Sequence, residues 1–192
     1  MRRSMLRSMP PVADDRSRVV ILGSMPGRES LEKRQCYARK QNSFWRIVHA
    51  LYDDVPSDGY EDRVDFVRQR GMALWDVLRQ CEREGSSDSS ITNEEVNDLE
   101  RFFLDHPGIR HVFFNGKKAA RSFELVRLSP DVRMRLSFTV LPSTSPANAA
   151  MRYDEKLAAW SAVRDALDRW AHPNGPGEGS EHFSTGGTSS SR

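Results

Sequence analysis

No stretch of this 192-residue chain approaches the ~20 consecutive apolar residues that a membrane-spanning helix requires. The N-terminus carries Arg2, Arg3 and Arg7 but no apolar segment of the secretory kind, so an intracellular, cytoplasmic protein is expected. Cysteine is scarce: Cys36 and Cys81 are too few for a cysteine-built zinc site or an iron–sulfur cluster, and free thiols are the expectation in a reducing compartment. Charge of one sign is also lacking. Lys and Arg number 29 against 27 Asp and Glu, a formal net charge of +2, which excludes both a polycation and an acidic disordered chain. Any nucleic-acid contact must therefore come from local patches rather than an overall basic field. The sequence has no GxxxxGK[ST] phosphate loop, no GxGxxG after its first apolar run, no HExxH, no GxSxG and no Cys or His pairs at metal-ligand spacing. P-loop hydrolysis, Rossmann-type hydride transfer and zinc chemistry lose their usual signatures, and no cofactor or metal is expected. Ser24, Ser143 and Ser145 lack a recognisable His partner for nucleophilic catalysis.

Composition divides the chain into three. Residues 1–17, with four Arg, two Asp and little apolar content, read as a disordered basic head, and the Gly/Ser-rich residues 172–192 as a disordered tail. The intervening 18–171 suits one domain with one core. Within it, four short apolar runs read as strands: Val19–Leu22, Met72–Val77, His111–Phe114 and Phe138–Leu141. Helical patterns lie between them. Phe44, Ile47, Val48 and Leu51 share one face; a second pattern covers about residues 60–70. Thr92 and Glu95 have capping-box spacing ahead of Val96, Leu99 and Phe103, another helix is expected near Gly116, and the last spans about 149–170. Strands alternating with helices predict a three-layer α/β/α sandwich around a mainly parallel four-stranded sheet.

Ligands of such folds bind at the carboxyl ends of the strands. The residues there are Gly23-Ser24-Met25-Pro26-Gly27, Asp76, Asn115-Gly116-Lys117 and Pro142-Ser143-Thr144-Ser145-Pro146, and all four segments are expected to line one crevice. The Gly23–Gly27 segment resembles the first signature of the uracil-DNA glycosylase superfamily, and Leu141–Asn148 its second. With Asn42-Ser43-Phe44-Trp45, Gly71–Val77 and Phe113-Phe114-Asn115-Gly116, the ordered set is similar to the hypoxanthine (deoxyinosine) DNA glycosylase branch, family 6, over about residues 18–170. The chain departs from the branch at Cys36, where a second Tyr is expected, and at Lys40, where a Pro is.

The resemblance implies roles residue by residue. Where many superfamily members carry a polar or acidic residue to position the hydrolytic water, this chain has Met25; the role passes to Asn42. Base contacts are expected from Gly23, Ser24, Met25, Pro26, Gly27, Phe44, Asp76 and Asn115, with Tyr37 in reserve as the stacking aromatic. DNA contacts are expected from Ser143, Thr144, Ser145, Pro146, Ala147 and Asn148, with Lys117 and Lys118 beside them. The residues alone leave plainer roles open: Asn42 as a helix N-cap, Phe44 as core, Asp76 as a solvated strand-end cap, Ser143–Ser145 as an ordinary loop, and the lysines as a solvated helix face. The expectation is a metal-independent, monofunctional glycosylase, monomeric and without a protein partner, acting on DNA that contains deaminated bases, and nucleoid-associated in a bacterium. Two alternatives stand beside it: a damaged-DNA-binding protein without turnover, and an α/β protein for free nucleosides.

Overall fold

The computed structural model describes residues 4–84 and 88–171. The four apolar runs form one parallel sheet, in the order β3 (Met72–Asp76), β2 (Val19–Gly23), β6 (His111–Asn115), β7 (Ser137–Leu141). Side chains alternate across each strand, so the sheet needs an apolar layer on both faces. Val19, Ile21, Met72, Leu74 and Phe113 pack against α2 (Phe44–Ala50), α3 (Tyr60–Gln69) and α7 (Tyr153–Ala171). Val20, Leu22, Ala73, Val112 and Phe114 pack against α4 (Leu99–Asp105), α5 (Lys117–Phe123) and α6 (Pro130–Met134). The α/β/α sandwich is the expected one.

Beside it stands a second sheet that the apolar pattern did not announce. It is antiparallel, ordered β1 (Ser4–Arg7), β4 (Leu78–Arg83), β5 (Thr92–Val96). The chain leaves β3 at Asp76 and enters β4 after a single residue. Two expectations are corrected here. Residues 4–17 are ordered: β1 pairs with β4 along its length, Val12 pairs with Leu74, and Val12 and Ser17 are buried. Backbone hydrogen bonds to an existing edge supply what a poor apolar content does not. Thr92 and Glu95 do not form a capping box, because both lie in β5, where Glu95 accepts from Arg79 and Gln80 of β4, each at 2.5 Å. Asp98 caps α4 instead, accepting from the Arg101 amide at 3.0 Å. The last helix begins at Tyr153, four residues later than the pattern suggested. α1 (Arg28–Lys33) and α6 are short and were not foreseen. The expected tail, 172–192, lies outside the described residues, as do Arg2 and Arg3.

Trp160 joins the helical layer to the strand ends. It is fully buried, meets Phe44 edge-on, and its indole donates to the Pro142 carbonyl at 3.0 Å. Trp160→Ala should therefore destabilise the fold by about 3–5 kcal/mol, seen as a lower urea midpoint. Trp160→Phe should cost less, losing the hydrogen bond but keeping most of the packing.

Candidate active site at the strand ends

The parallel register sets Val19 opposite both Met72 and His111, and Gly23 opposite Asp76, while Asn115 pairs with Leu141. The carboxyl ends of all four strands thus finish at one edge. A cavity of about 450 Å³ opens there, and each expected strand-end segment contributes to its wall: Gly23–Gly27, Asp76, Asn115 and Ser143–Pro146, together with Tyr37 and Asn42.

The first loop is held from behind. The Gly23 and Ser24 carbonyls accept from the amides of Val77 and Leu78 at 2.8 and 3.0 Å, and the Pro26 carbonyl accepts from Arg83 Nη2 at 2.7 Å. A trans peptide points its N–H opposite to its C=O, so the amides of Ser24, Met25 and Gly27 face away from these anchors. Met25 is buried among Leu78, Cys81 and Ile91. Gly23 is required by a close approach: a Cβ there would sit 2.5 Å from Asp76 Oδ1.

Asp76 is the most strongly perturbed carboxyl in the cavity wall. Desolvation pushes its carboxyl up to about 7; the Asp88 charge adds to this, while the Ser8 hydroxyl and Arg83 oppose it. Asp88, on the 3₁₀ turn Asp88–Ser90, is also held above the ordinary carboxylate range by burial, against a hydrogen bond from Ser24. Arg83, fully buried, is the cation between them; its Nε has no partner among the described residues. Its charge is met by the Pro26 carbonyl, to which Nη2 donates, and by the two nearby carboxyls, whose ionised forms it favours.

Phe44 is not the ring that faces a ligand. It is fully buried behind Tyr37, stacked on it at 3.7 Å and 16°, with Trp45 and Trp160 on other sides, and this corrects the expectation. Its place on the apolar stripe of α2 puts it in the core, and Tyr37 takes the cavity wall. Tyr37 sits at φ 54°, a left-handed conformation that a bulky residue adopts only where its surroundings impose it. Its phenol is pushed up by burial and by the Asp76 charge.

Asn42 combines the two roles that sequence left open. Its Oδ1 accepts from the Phe44 amide at 3.0 Å at the start of α2, although Ser43 holds the cap position, and the side chain still reaches the cavity wall. Ser43 donates its amide and its hydroxyl to the Thr144 carbonyl, at 3.1 and 3.2 Å, tying this segment to the last loop.

Asn115 lines the cavity and clamps the last loop. Its Nδ2 donates to Thr144 Oγ1 and its Oδ1 accepts from the Thr144 amide, both at 2.9 Å, and the side chain also hydrogen-bonds the Tyr37 phenol. Gly116, at φ 99°, lets Ser143 pack close, with 3.0 Å from a would-be Cβ to Ser143 Cβ. Thr144 is buried; Ser143 and Ser145 accept from the amides two residues on, at 3.2 and 3.3 Å, which leaves their hydroxyl hydrogens for a ligand. The loop does not stand at the positive end of α7, which starts eight residues after Ser145. Ala147 and Asn148 lie outside the cavity wall; Asn148 donates to the Ser143 carbonyl and its own carbonyl accepts from Lys156. Lys117 is exposed and Lys118 is paired with Glu94 of β5, so neither lines the cavity.

Met9, Trp75, Arg83 and Asp88 line the cavity without having been anticipated, as do Arg28 and Arg39. Arg83 lies on the unannounced second sheet and Asp88 on the turn between its strands β4 and β5. Among the described residues no group of three or more His, Cys, Asp or Glu is placed to hold a metal ion, and no helix is long and apolar enough to cross a membrane.

A parallel sheet whose strand ends open on one cavity, walled by the Gly23–Gly27 loop, buried Asp76 and a Ser-rich loop, defines an α/β protein with its candidate site at the carboxyl edge of the sheet. The sequence profile of the Uracil DNA glycosylase superfamily matches residues 10–166, and the chain belongs to that superfamily. It is 37% identical over 158 residues to the hypoxanthine DNA glycosylase of Methanosarcina acetivorans, covering 82% of this chain and 96% of that one. The hypoxanthine DNA glycosylase of Methanosarcina barkeri is 34% identical over 143 residues, 74% of this chain and 87% of that one. A solution NMR structure from M. acetivorans, described as a candidate uracil DNA glycosylase, superposes with a TM-score of 0.72 at 36% identity, covering 86% of this chain and 99% of that one.

Because the Asp76 carboxyl is raised from 3.8 to about 7 on folding, the folded protein binds a proton that the unfolded chain releases between those values. Its contribution to stability is present below pH 4 and is lost as pH rises through about 7. Asp76→Asn should accordingly gain stability over the wild type at pH 8 and not at pH 4, measured by urea unfolding at both. Gly23→Ala should displace the carboxyl and move its titration, followed by carbon NMR of the labelled side chain.

Proposed function

We propose that the protein is a monofunctional DNA glycosylase that flips a deaminated base out of the duplex, hypoxanthine before uracil, and hydrolyses its N-glycosidic bond to leave an abasic site. The observation that carries this reading is the convergence of Asn42, Asp76 and the Gly23–Gly27 loop on one cavity, in a chain whose relatives are named hypoxanthine DNA glycosylases. A base must leave the stack because its glycosidic carbon and its edge are inaccessible in the duplex. Tyr37, backed by Phe44, offers the stacking face. Ser143 and Ser145 donate to the flanking phosphates, with Arg28 and Arg39 at the rim.

Bond cleavage develops positive charge on the sugar and negative charge on the base. The water oxygen bonds to C1′ as the C1′–N bond breaks; that bond's electron pair leaves on the base, and the water's proton passes to solvent or to the base. A carboxamide holds the water without ionising: Asn42 Oδ1, fixed by the Phe44 amide, has a second lone pair for it. The loop amides of Ser24, Met25 and Gly27 are the donors for the departing base. Among the described residues no lysine lines the cavity, so in this reading water and not a Schiff base completes the reaction, and the strand is not nicked. The enzyme works as a monomer inside the cell, with no step assigned to a metal or cofactor.

Labelled duplexes containing inosine, uracil, xanthine or a normal mismatch, incubated with the protein and then treated with alkali, test the reading. Cleavage should appear only after alkali and should be greatest at inosine. Asn42→Ala should lower kcat/KM by about 10²-fold or more while retaining duplex affinity. Its stability should fall by about 1 kcal/mol, for the lost amide contact. Tight binding with no base released from any duplex would mark a damage-binding protein instead.

A further inference from the structure

Residues 8–12, between β1 and β2, reach the cavity wall at Met9 and are fastened to β3 and β4. The Ser8 amide donates to the Arg79 carbonyl at 2.8 Å, Val12 and Leu74 exchange N–H···O bonds of 2.9 and 2.8 Å, and the Trp75 indole donates to the Met9 carbonyl at 2.9 Å. These attachments bring Met9 into the cavity wall beside Trp75. They also set the Ser8 hydroxyl 3.4 Å from Asp76 Oδ2, while Oδ1 of the same carboxyl lies against Gly23. Both oxygens have a neighbour that fixes them, and one of those neighbours comes from the N-terminal segment.

We propose that Ser8 and Met9 are specificity-determining residues of the base pocket, Met9 by limiting its width and Ser8 as a positioning residue that orients the Asp76 carboxyl toward the edge of the flipped base. The inference deepens the glycosylase reading and rests on it. The chemical class it selects is a lactam edge, N–H beside C=O, as in hypoxanthine and uracil. An ionised carboxylate accepts from the N–H but repels the neighbouring oxygen; a neutral carboxyl supplies one acceptor and one donor and satisfies both. The charged and titratable groups around Asp76 are Arg83 on β4, Asp88 on the 3₁₀ turn, and Tyr37 and Cys36 on the α1–α2 loop. Burial keeps the last two neutral near pH 7, with Cys36 at about 11. The Ser8 hydroxyl favours the ionised form, so its loss extends the neutral form to higher pH.

The test is kcat/KM against pH on inosine- and uracil-containing duplexes for the wild type, Ser8→Ala, Ser8→Thr, Met9→Ala and Met9→Leu, with thermal unfolding of each. The ionisation near pH 7 should move upward in Ser8→Ala and return in Ser8→Thr, which a merely structural serine would not do. Met9→Ala should shift the hypoxanthine-to-uracil ratio about threefold or more toward the larger base, because a wall set back by three heavy atoms still touches a purine but not a pyrimidine. Met9→Leu, of similar volume, should keep the ratio. An active wild type whose Ser8→Ala and Met9→Ala variants match it in pH profile and in ratio overturns this inference alone. A wild type that releases neither base overturns the glycosylase reading and this inference with it.

Discussion

The site depends on one close contact, that of the Asp76 carboxyl with the Cα of Gly23 across two parallel strands in register. Register alone brings the two residues side by side; the missing side chain at Gly23 lets the carboxyl lie flat where any Cβ would collide with it. The chain turns from β3 into β4 directly after this contact, and the amides of Val77 and Leu78, the next two residues, fasten the carbonyls of the Gly23–Gly27 loop. The carboxyl, the loop that faces it and the second sheet are therefore placed by the same few residues. A shift of one residue between β2 and β3 would turn Asp76 to the other face and dismantle all three.

The electrostatics follow from that enclosure. Asp76 and Asp88 are each pushed toward the neutral form by burial, and Asp88 pushes Asp76 further. Buried Arg83 offsets part of this and simultaneously fixes the Pro26 carbonyl, so the cation that balances the acids also holds the loop opposite them. A formal net charge of only +2 is compatible with the proposed reading, in which a base is read by hydrogen bonds inside the cavity and not by a long-range field. Arg28 and Arg39, exposed and in the cavity wall, would in the proposed reading meet a flanking phosphate locally.

What was legible in the sequence was the parallel sheet and the positions of its ends, because strands covered on both faces need uninterrupted apolar runs and the residues that follow them are short and polar. Gly23–Gly27, Asp76, Asn115 and Ser143–Pro146 were found that way. The second sheet was not legible: β1, β4 and β5 are charged strands that alternate weakly and are held by backbone pairing and by Glu95 with Arg79 and Gln80. Its invisibility hid Arg83 and made Thr92 and Glu95 look like a helix cap. Phe44 and Tyr37 were exchanged for a different reason. Helical periodicity correctly places Phe44 in the core, and only the left-handed backbone at Tyr37, which no local pattern announces, shows which ring reaches the cavity.

The same enclosure gives a reason for a carboxamide at position 42 and a thioether at position 25. A carboxylate added to a cavity that already holds Asp76 at about 7 and a raised Asp88 would meet both desolvation and like charge, and would itself be driven toward the protonated form at neutral pH. As a protonated acid it would hold a water no better than an amide does, and its ionisation would move with the other two as a coupled set. Asn42 avoids this: its oxygen keeps its lone pairs at every pH, and the Phe44 amide fixes its direction. Met25, freed from holding water, packs against Leu78, Cys81 and Ile91 and seals the second sheet onto the first loop. In the proposed reaction the pH dependence then belongs to the group that reads the base and not to the group that delivers the water.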